Sequence, residues 1–174
     1  MKKLSLGVFV MLLLTGAAQA QRNSEKLDEL KQILTNKIGS DMPGWTHRSV
    51  TPIEGSKNVI VDQWEAANVI VKVAVNEYDS QESAVAAFED FRKRLKREQD
   101  ATAAKRKTNF RILKDDLPDL GDGGFIWDIM GSDAAVFRKK NLLTFVSVIG
   151  PREYNDTVLS RLFAQRVAEA LTAQ

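Results

Sequence analysis

The amino-acid sequence predicts an α+β fold, in which an antiparallel β-sheet of about six or seven strands is covered by helices on both faces. Three amphipathic helical stretches lie at the start, the middle and the end of the chain. The strands between them follow one another as hairpins and not as alternating β-α units, which indicates an antiparallel sheet. The strongest strand segment, residues 69–75, is apolar on both faces, so we expect neither face to be open to water. These observations predict an α/β/α sandwich.

Each predicted helix combines apolar residues at helical spacing with a polar residue where it begins. Ser24 can cap the first helix, whose leucines and isoleucines recur from 27 to 38. Asp79 and Glu82 form a capping box at the start of the second, and no glycine or proline interrupts the residues that follow. Asn155 or Asp156 can cap the third, which follows a Gly-Pro break.

Seven segments have the alternation and the β-branched or aromatic residues that are typical of strands. Polar turns separate most of them, and an acidic loop at residues 115–124 precedes the fifth. The predicted strands are residues 45–52, 58–65, 69–75, 110–113, 125–130, 134–138 and 142–149.

Residues 1–20 have the pattern of a bacterial Sec-type signal peptide. Two lysines are followed by an apolar run at 4–14, and Ala18 and Ala20 form the small-x-small pattern that signal peptidase recognises. The apolar run is shorter than the roughly 20 residues that a membrane-spanning helix needs. We expect cleavage after Ala20, which leaves residues 21–174 as one periplasmic or secreted domain without a transmembrane segment.

Composition excludes several functional classes. The chain has 25 Lys+Arg and 23 Asp+Glu, so removal of the two lysines in the predicted signal peptide leaves 23 of each. This neutral balance gives no electrostatic reason to bind nucleic acid, and the basic run at 92–97 has no aromatic residues for base stacking. The absence of cysteine excludes disulfides, thiol catalysis, thiolate zinc sites and a lipoprotein anchor. No cofactor is predicted.

The most unusual segment is the loop at residues 115–124, which contains four aspartates and three glycines. Carboxylates on a bendable loop could hold Ca²⁺, which prefers six to eight oxygen ligands, although the spacing does not match an EF-hand. The same residue types are also required by a tight turn into a strand. We select Asp119 and Asp122 as candidate ligand-binding residues, with a calcium-stabilised structural domain as an alternative.

Two tryptophans on predicted strands, Trp64 and Trp127, are the other candidate ligand-binding residues. An indole offers an apolar surface and one N–H donor, so tryptophans often line ligand pockets. Packing in the core accounts for tryptophans on strands as well. The binding hypothesis places both indoles beside the loop at residues 119–124.

The sequence gives no strong indication of catalysis, and we assign no catalytic or metal-binding residue. His47 is the only histidine, and no Gly-x-Ser-x-Gly motif accompanies it. Asp62, Lys72 and Asp128 lie within apolar strands, where they form either a polar patch on one face or, as we favour, a sheet margin. A small hydrolase that uses carboxylates is the enzymatic alternative.

The C-terminal third resembles a pattern found in exported bacterial domains. Residues 117–127 read LPDLGDGGFIW, and a turn leads to AVFRKKN at 135–141 and LLTFVSV at 142–148. This is similar to PsbP-like α/β/α sandwiches, in which a strand ends in Arg-Lys-Gly-Asn, whereas Lys140 here replaces the glycine. The resemblance implies a sandwich fold and a binding or accessory role, and it implies no catalytic residue.

Taken together, the sequence predicts an exported, soluble, non-enzymatic domain that binds a protein partner or a small ligand at the cell envelope. The loop at residues 119–124 with Trp64 and Trp127 is its predicted site. That hypothesis requires tryptophans that reach the surface and a second sheet face that is not fully covered.

Overall fold

The structure of the chain is a computed structural model. It describes residues 24–50, 59–104, 110–115, 117, 119–129, 132–151 and 157–172. The predicted signal peptide at residues 1–20 and its cleavage site lie outside the described residues.

Within the described ranges, three helices and seven strands follow one another in the predicted order. The helices are α1 (Ser24–Asp41), α2 (Gln81–Ala104) and α3 (Thr157–Thr172). The strands are β1 (Thr46–Ser49), β2 (Val59–Ala66), β3 (Val69–Glu77), β4 (Phe110–Asp115), β5 (Gly124–Ile129), β6 (Ser132–Lys139) and β7 (Leu142–Ile149). No helix in this part of the chain is both long enough and apolar enough to cross a membrane.

All seven strands belong to one sheet with the order β1-β2-β3-β7-β6-β5-β4, and every neighbouring pair is antiparallel. The prediction of an α+β fold with an antiparallel sheet is therefore confirmed. Two meanders, β1 to β3 and β4 to β7, meet where β3 pairs with β7, so that Val73 lies opposite Val146. This central pairing brings together residues that are far apart in the sequence.

Alternate strand residues supply two separate hydrophobic clusters, one on each face of the sheet. The first joins α1 and α3 to one face and contains Leu34, Val73 and Phe163, all fully buried. The second joins α2 to the opposite face, where Phe91 packs against Phe125. The strands thus contribute apolar side chains to a cluster on each side of the sheet. Two helices thus lie on the first face and one helix on the second.

The start of α2 differs from the prediction by one residue. Ser80, and not Asp79, caps the helix, since its Oγ accepts a hydrogen bond of 3.1 Å from the backbone N–H of Ser83. Serine and aspartate cap helices about equally well, so the path of the chain decides between them. That path is set at Tyr78, whose backbone N–H donates to the carbonyl oxygen of Asn141 at 2.9 Å.

Candidate functional site

The structure separates the two tryptophans that the sequence placed in one binding site. Trp64 on β2 is 0% exposed and belongs to the cluster under α1 and α3. Trp127 on β5 is 3% exposed and lies on the opposite face, with its ring 4.9 Å from that of Phe91. The prediction of a pocket shared by these indoles and the acidic loop is therefore wrong, because the sheet lies between them and neither reaches the surface. Both tryptophans pack the core.

Asp119 attaches the acidic loop to helix α3. Its Oδ2 accepts hydrogen bonds from Arg161 Nη2 at 2.5 Å, Arg161 Nε at 3.2 Å and Gln165 Nε2 at 2.9 Å. The hydrogen bonds from Arg161, with a further one from Gln165, hold the pKa of Asp119 below its ordinary value. Nothing in the local sequence predicts this contact, because Arg161 lies 42 positions further along the chain.

Asp122 fixes the turn between β6 and β7. Its Oδ2 accepts hydrogen bonds from the backbone N–H of Lys140 at 2.7 Å and from Arg138 Nη1 at 3.2 Å. Its Oδ1 lies 3.6 Å from Lys139 Nζ, and its own backbone N–H donates to the carbonyl oxygen of Arg138 at 2.7 Å. The loop and the turn are consequently held together as one unit.

These contacts weaken the calcium alternative. Asp119 and Asp122 are each already paired with a guanidinium group. Over the described ranges, no three side chains of His, Cys, Asp or Glu are grouped so that they could hold a metal ion. A Ca²⁺ ion at either aspartate would have to displace an arginine, so the structure favours a tight turn over a metal loop.

The pairing of Asp119 with Arg161 predicts a specific pH dependence. Asp119→Asn should lower the free energy of unfolding by less than about 1 kcal/mol near neutral pH, because the pair is partly exposed. A carboxyl with a depressed pKa in the folded state stabilises the fold above its unfolded pKa of about 3.9 and loses this contribution as pH falls through the folded value. Urea unfolding of both proteins from neutral to strongly acidic pH should show their difference shrinking below about pH 4. A difference that does not change with pH would contradict this assignment.

The β6–β7 turn borders a small cavity of about 160 Å³ at one end of the molecule. Four leucines from α1, β7 and α3 form its apolar wall, and two consecutive lysines of the turn contribute to its polar wall. These residues are Leu27, Leu30, Leu142, Leu171, Lys139 and Lys140. A cavity of about 150 Å³ accommodates a group of the size of benzene.

A wider and more open groove of about 720 Å³ borders the same end of the sheet. Its wall includes Asp119, Lys139, Gln165 and Glu169, and Lys139 also lines the leucine cavity. We call the cavity and the groove together the turn-end cleft. Apolar walls with a few convergent polar groups are the usual composition of ligand sites. Asp119 thus lines the groove beside Lys139 and not beside the tryptophans, and its role in binding stays a prediction.

Lys140 has an unfavourable backbone conformation at this cleft. Its φ is 52°, a left-handed value that costs most residues roughly 1–2 kcal/mol and that glycine adopts freely. A lysine in this conformation is therefore less stable than a glycine would be.

A second polar cluster, centred on Asp62, was not predicted. Asp62 on β2 is 0% exposed, and its Oδ1 lies 3.2 Å from His47 Nε2 and 3.5 Å from Lys31 Nζ. Lys31 Nζ also donates to Ser49 Oγ at 2.7 Å. The prediction that Asp62 lies at a sheet margin is wrong, because β2 is an inner strand and α1 covers the carboxylate.

The polar patch that was the alternative for Asp62, Lys72 and Asp128 does not form either. Asp62 and Asp128 point to the α1 and α3 face, but β3, β7 and β6 lie between their strands. Lys72 points to the opposite face, next to buried Ala74 in the same alternation. The three residues therefore have independent environments.

The Asp62 cluster does not have the geometry of the hydrolase alternative. Glycoside hydrolysis requires two carboxyl groups that face each other across a cleft, whereas Asp62 faces two basic side chains. Ser49 receives its hydrogen bond from an ammonium that also faces a carboxylate, and such an ammonium is a poor acceptor for a serine proton. The contacts instead attach α1 to β1 and β2.

Comparisons of this chain with protein-family models, with curated proteins and with solved structures gave no match. The resemblance to PsbP-like domains therefore stays a prediction, and a functional argument must start from the residues of this chain. Among the described residues, the turn-end cleft is where an apolar cavity, a charged groove and a strained lysine coincide. It is our candidate functional site.

Proposed function

We propose that the chain is an exported, soluble, non-enzymatic binding domain whose turn-end cleft takes a small organic anion. The observation that carries this proposal is the position of Lys139 and Lys140 in the wall of a leucine-lined cavity. An apolar group of about six heavy atoms would fill the cavity, and a carboxylate attached to it would meet the lysines.

The charges of the cleft support a ligand with one anionic group. Asp122 lies 3.6 Å from Lys139 and holds the turn, so the cation is positioned before a ligand arrives, which reduces the entropic cost of binding. Lys140 is exposed and leaves its ammonium accessible to the ligand. Glu77 lies in the same wall and would repel a second negative charge, which selects against dianions.

The backbone of Lys140 is a second line of support. Strained residues are frequent at functional sites, and here the strained residue places an ammonium at the cavity in a position where glycine would be more stable. Ala67, in the β2–β3 turn, has a similar φ of 49° but does not line the cleft. Substitutions of Lys140 and of Ala67 therefore allow the effect of backbone strain to be separated from the effect of the lysine charge.

We also propose that residues 1–20 direct export and that residues 21–174 fold as one α/β/α sandwich in the periplasm or outside the cell. Support comes from the Ala18-x-Ala20 pattern, from a cysteine-free chain and from helices on opposite faces of the sheet. N-terminal sequencing of protein recovered from the periplasm should begin at Gln21, and an intact N-terminus in the cytoplasm would contradict export.

Calorimetry on residues 21–174 tests the ligand. Benzoate and hexanoate should bind, whereas benzyl alcohol and hexanol, which match them in size but carry no charge, should bind about 10-fold or more weakly. Leu27→Trp should abolish binding because the larger side chain fills the cavity. Equal affinities for the acids and the alcohols, or no binding of either, would contradict an anion site.

Lys140→Gly should raise stability and lower affinity at the same time. Relief of the left-handed conformation should increase the free energy of unfolding by about 0.5–1 kcal/mol. Loss of the ammonium should weaken benzoate binding by several-fold. Ala67→Gly is the matched control, since it should stabilise by a similar amount and leave the affinity unchanged. If Lys140→Gly binds benzoate as well as the original chain does, Lys140 has no role in binding.

A further inference from the structure

The two faces of the sheet differ in how completely helices cover them. Helices α1 and α3 bury the first face of β2 and β3, where Trp64, Val71 and Val73 are fully buried. Helix α2 packs on β4, β6 and β7 of the second face. On that second face, Ala74 and Asn76 of β3 are buried, whereas the described side chains of β1, of β2, of the first half of β3 (Ile70 and Lys72) and of the end of β7 are half-buried or exposed, with Ile149 38% exposed. The expectation of complete cover is not met here.

Two exposed and four half-buried residues lie in neighbouring rows across four adjacent strands. Arg48 lies opposite Gln63, which lies opposite Lys72. In the next row, Glu65 lies opposite Ile70, which lies opposite Ile149. We call these six residues the open strip.

The charged side chains of the open strip differ in whether they have an ion-pair partner. Glu65 Oε2 lies 2.8 Å from Arg48 Nε, and its Oε1 accepts a hydrogen bond from Gln63 Nε2 at 2.5 Å. The acid of the strip is therefore neutralised within the strip. Lys72 forms no ion pair with any described residue, and it lies between Ile70 and Ala74 on its own strand. Over the described ranges, the strip thus presents one cation without an ion-pair partner, with apolar side chains beside it.

We infer that the open strip is a docking surface for an amphipathic helix of a partner protein, one that carries an acidic side chain within its apolar face. The width of the strip fits a single helix. Four strands at about 4.8 Å spacing span roughly 14 Å, whereas a helix with its side chains is about 10 Å across. A helix here would lie beside α2 and complete the second layer, as α1 and α3 do on the first face.

The positive charge of Lys72 favours a partner helix that carries an acidic side chain. A helix with only apolar residues at its centre would bury the ammonium of Lys72 without a counter-charge, which is costly. A second copy in a symmetric pairing would place like surfaces together, each with its own unpaired lysine. An acid at the centre of the docking helix pairs Lys72, while its flanking leucines or isoleucines cover Ile70 and Ile149.

Three helical peptides of about 18 residues test this inference. They share one amphipathic sequence and differ only in the central residue of the apolar face, which is glutamate, glutamine or lysine. Fluorescence anisotropy on residues 21–174 should show the glutamate peptide binding about 10-fold more tightly than the lysine peptide. Lys72→Glu should reverse this order, which loss of folding could not do.

The control variant is Lys93→Glu, which reverses an exposed charge on α2 and should leave the ranking of the peptides unchanged. Amide hydrogen exchange with the glutamate peptide bound should show protection in β3 and at the end of β7. Equal affinities for the three peptides, or protection at the turn-end cleft instead, would overturn the inference. So would a concentration-dependent dimer that Lys72→Glu abolishes, because the occupant would then be a second copy. The docking surface does not depend on the anion site, and benzoate should bind equally to Lys72→Glu.

Discussion

Gly121→Ala is expected to destabilise the protein by about 3 kcal/mol or more, because two penalties add at one position. Gly121 has a φ of 65°, which residues with a Cβ rarely adopt. A Cβ there would overlap the carbonyl oxygen of Arg138 and would lie 3.3 Å from Phe137 Cδ2. The obstacle is backbone in β6, which is paired on both sides by β5 and β7 and cannot move without disturbing the sheet.

Guanidinium unfolding of Gly121→Ala and of Gly39→Ala measures this effect against a matched control. Gly39 is exposed near the end of α1, and a Cβ there meets nothing within 4 Å, so alanine should stabilise the helix by about 0.5–1 kcal/mol. The same chemical change thus has opposite signs at the two positions. If Gly121→Ala costs less than about 1 kcal/mol, the loop is not pressed against β6 as described.

The same substitution should also weaken the proposed anion site. Gly121 lies next to Asp122, which holds Lys139 and the backbone of Lys140. A displaced loop would release the turn, so benzoate affinity should fall together with stability in Gly121→Ala. Gly39→Ala lies outside the cleft and should leave the affinity unchanged.

The strands and helices could be predicted because their signals are local. Val71, Val73 and Val75 recur at every second position, and this alternation predicts a strand with one buried face. The length of α2 follows from an uninterrupted stretch without proline or glycine, since nothing in it breaks the helix. Strand alternation and helix continuity depend on residues a few positions apart in the chain, so both can be recognised in the sequence.

The candidate site could be predicted only in part, because its residues meet through the tertiary structure. Asp119 was selected for its loop, but its partner Arg161 and the leucine cavity depend on where α3 and α1 pack. Tryptophan is compatible with pockets and with cores, so Trp64 and Trp127 could not be assigned from residue type alone. The pairing of the strands decides the question, because it places residues 64 and 127 on opposite faces of the sheet. That pairing could not be read from the sequence.

The sequence pattern around Asp62 does indicate that this residue is buried. Ile60 and Trp64 lie two residues before and after it, so all three side chains share one face of β2. A carboxylate on the apolar face of an inner strand requires a cation, and Lys31 on α1 is the neighbour that supplies one. The alternation thus predicts that a partner exists, whereas only the packing of α1 identifies it.

Lys31→Met is expected to destabilise the protein by about 2–4 kcal/mol, because it leaves a buried carboxylate with one fewer cation. Methionine retains the length and the helix propensity of lysine, so the change removes the charge and the hydrogen bond to Ser49. His47 Nε2 remains 3.2 Å from the carboxylate, which is why we expect somewhat less than the full cost of an unpaired buried charge. Urea unfolding at neutral pH measures the loss, and Lys93→Met on the exposed side of α2 should change stability by less than about 0.5 kcal/mol.

The double variant Lys31→Met/Asp62→Val decides whether the cluster stabilises the fold or only compensates a charge. Replacement of a buried ion pair by apolar residues is often neutral or stabilising, because the desolvation of both charges is avoided. The double variant should therefore recover most of the stability that Lys31→Met loses. A double variant that is as unstable as Lys31→Met would mean that the lost hydrogen bond to Ser49, and not the buried charge, attaches α1 to the sheet. In that case Ser49→Ala alone should reproduce the loss, whereas the charge argument predicts that Ser49→Ala costs no more than about 1 kcal/mol.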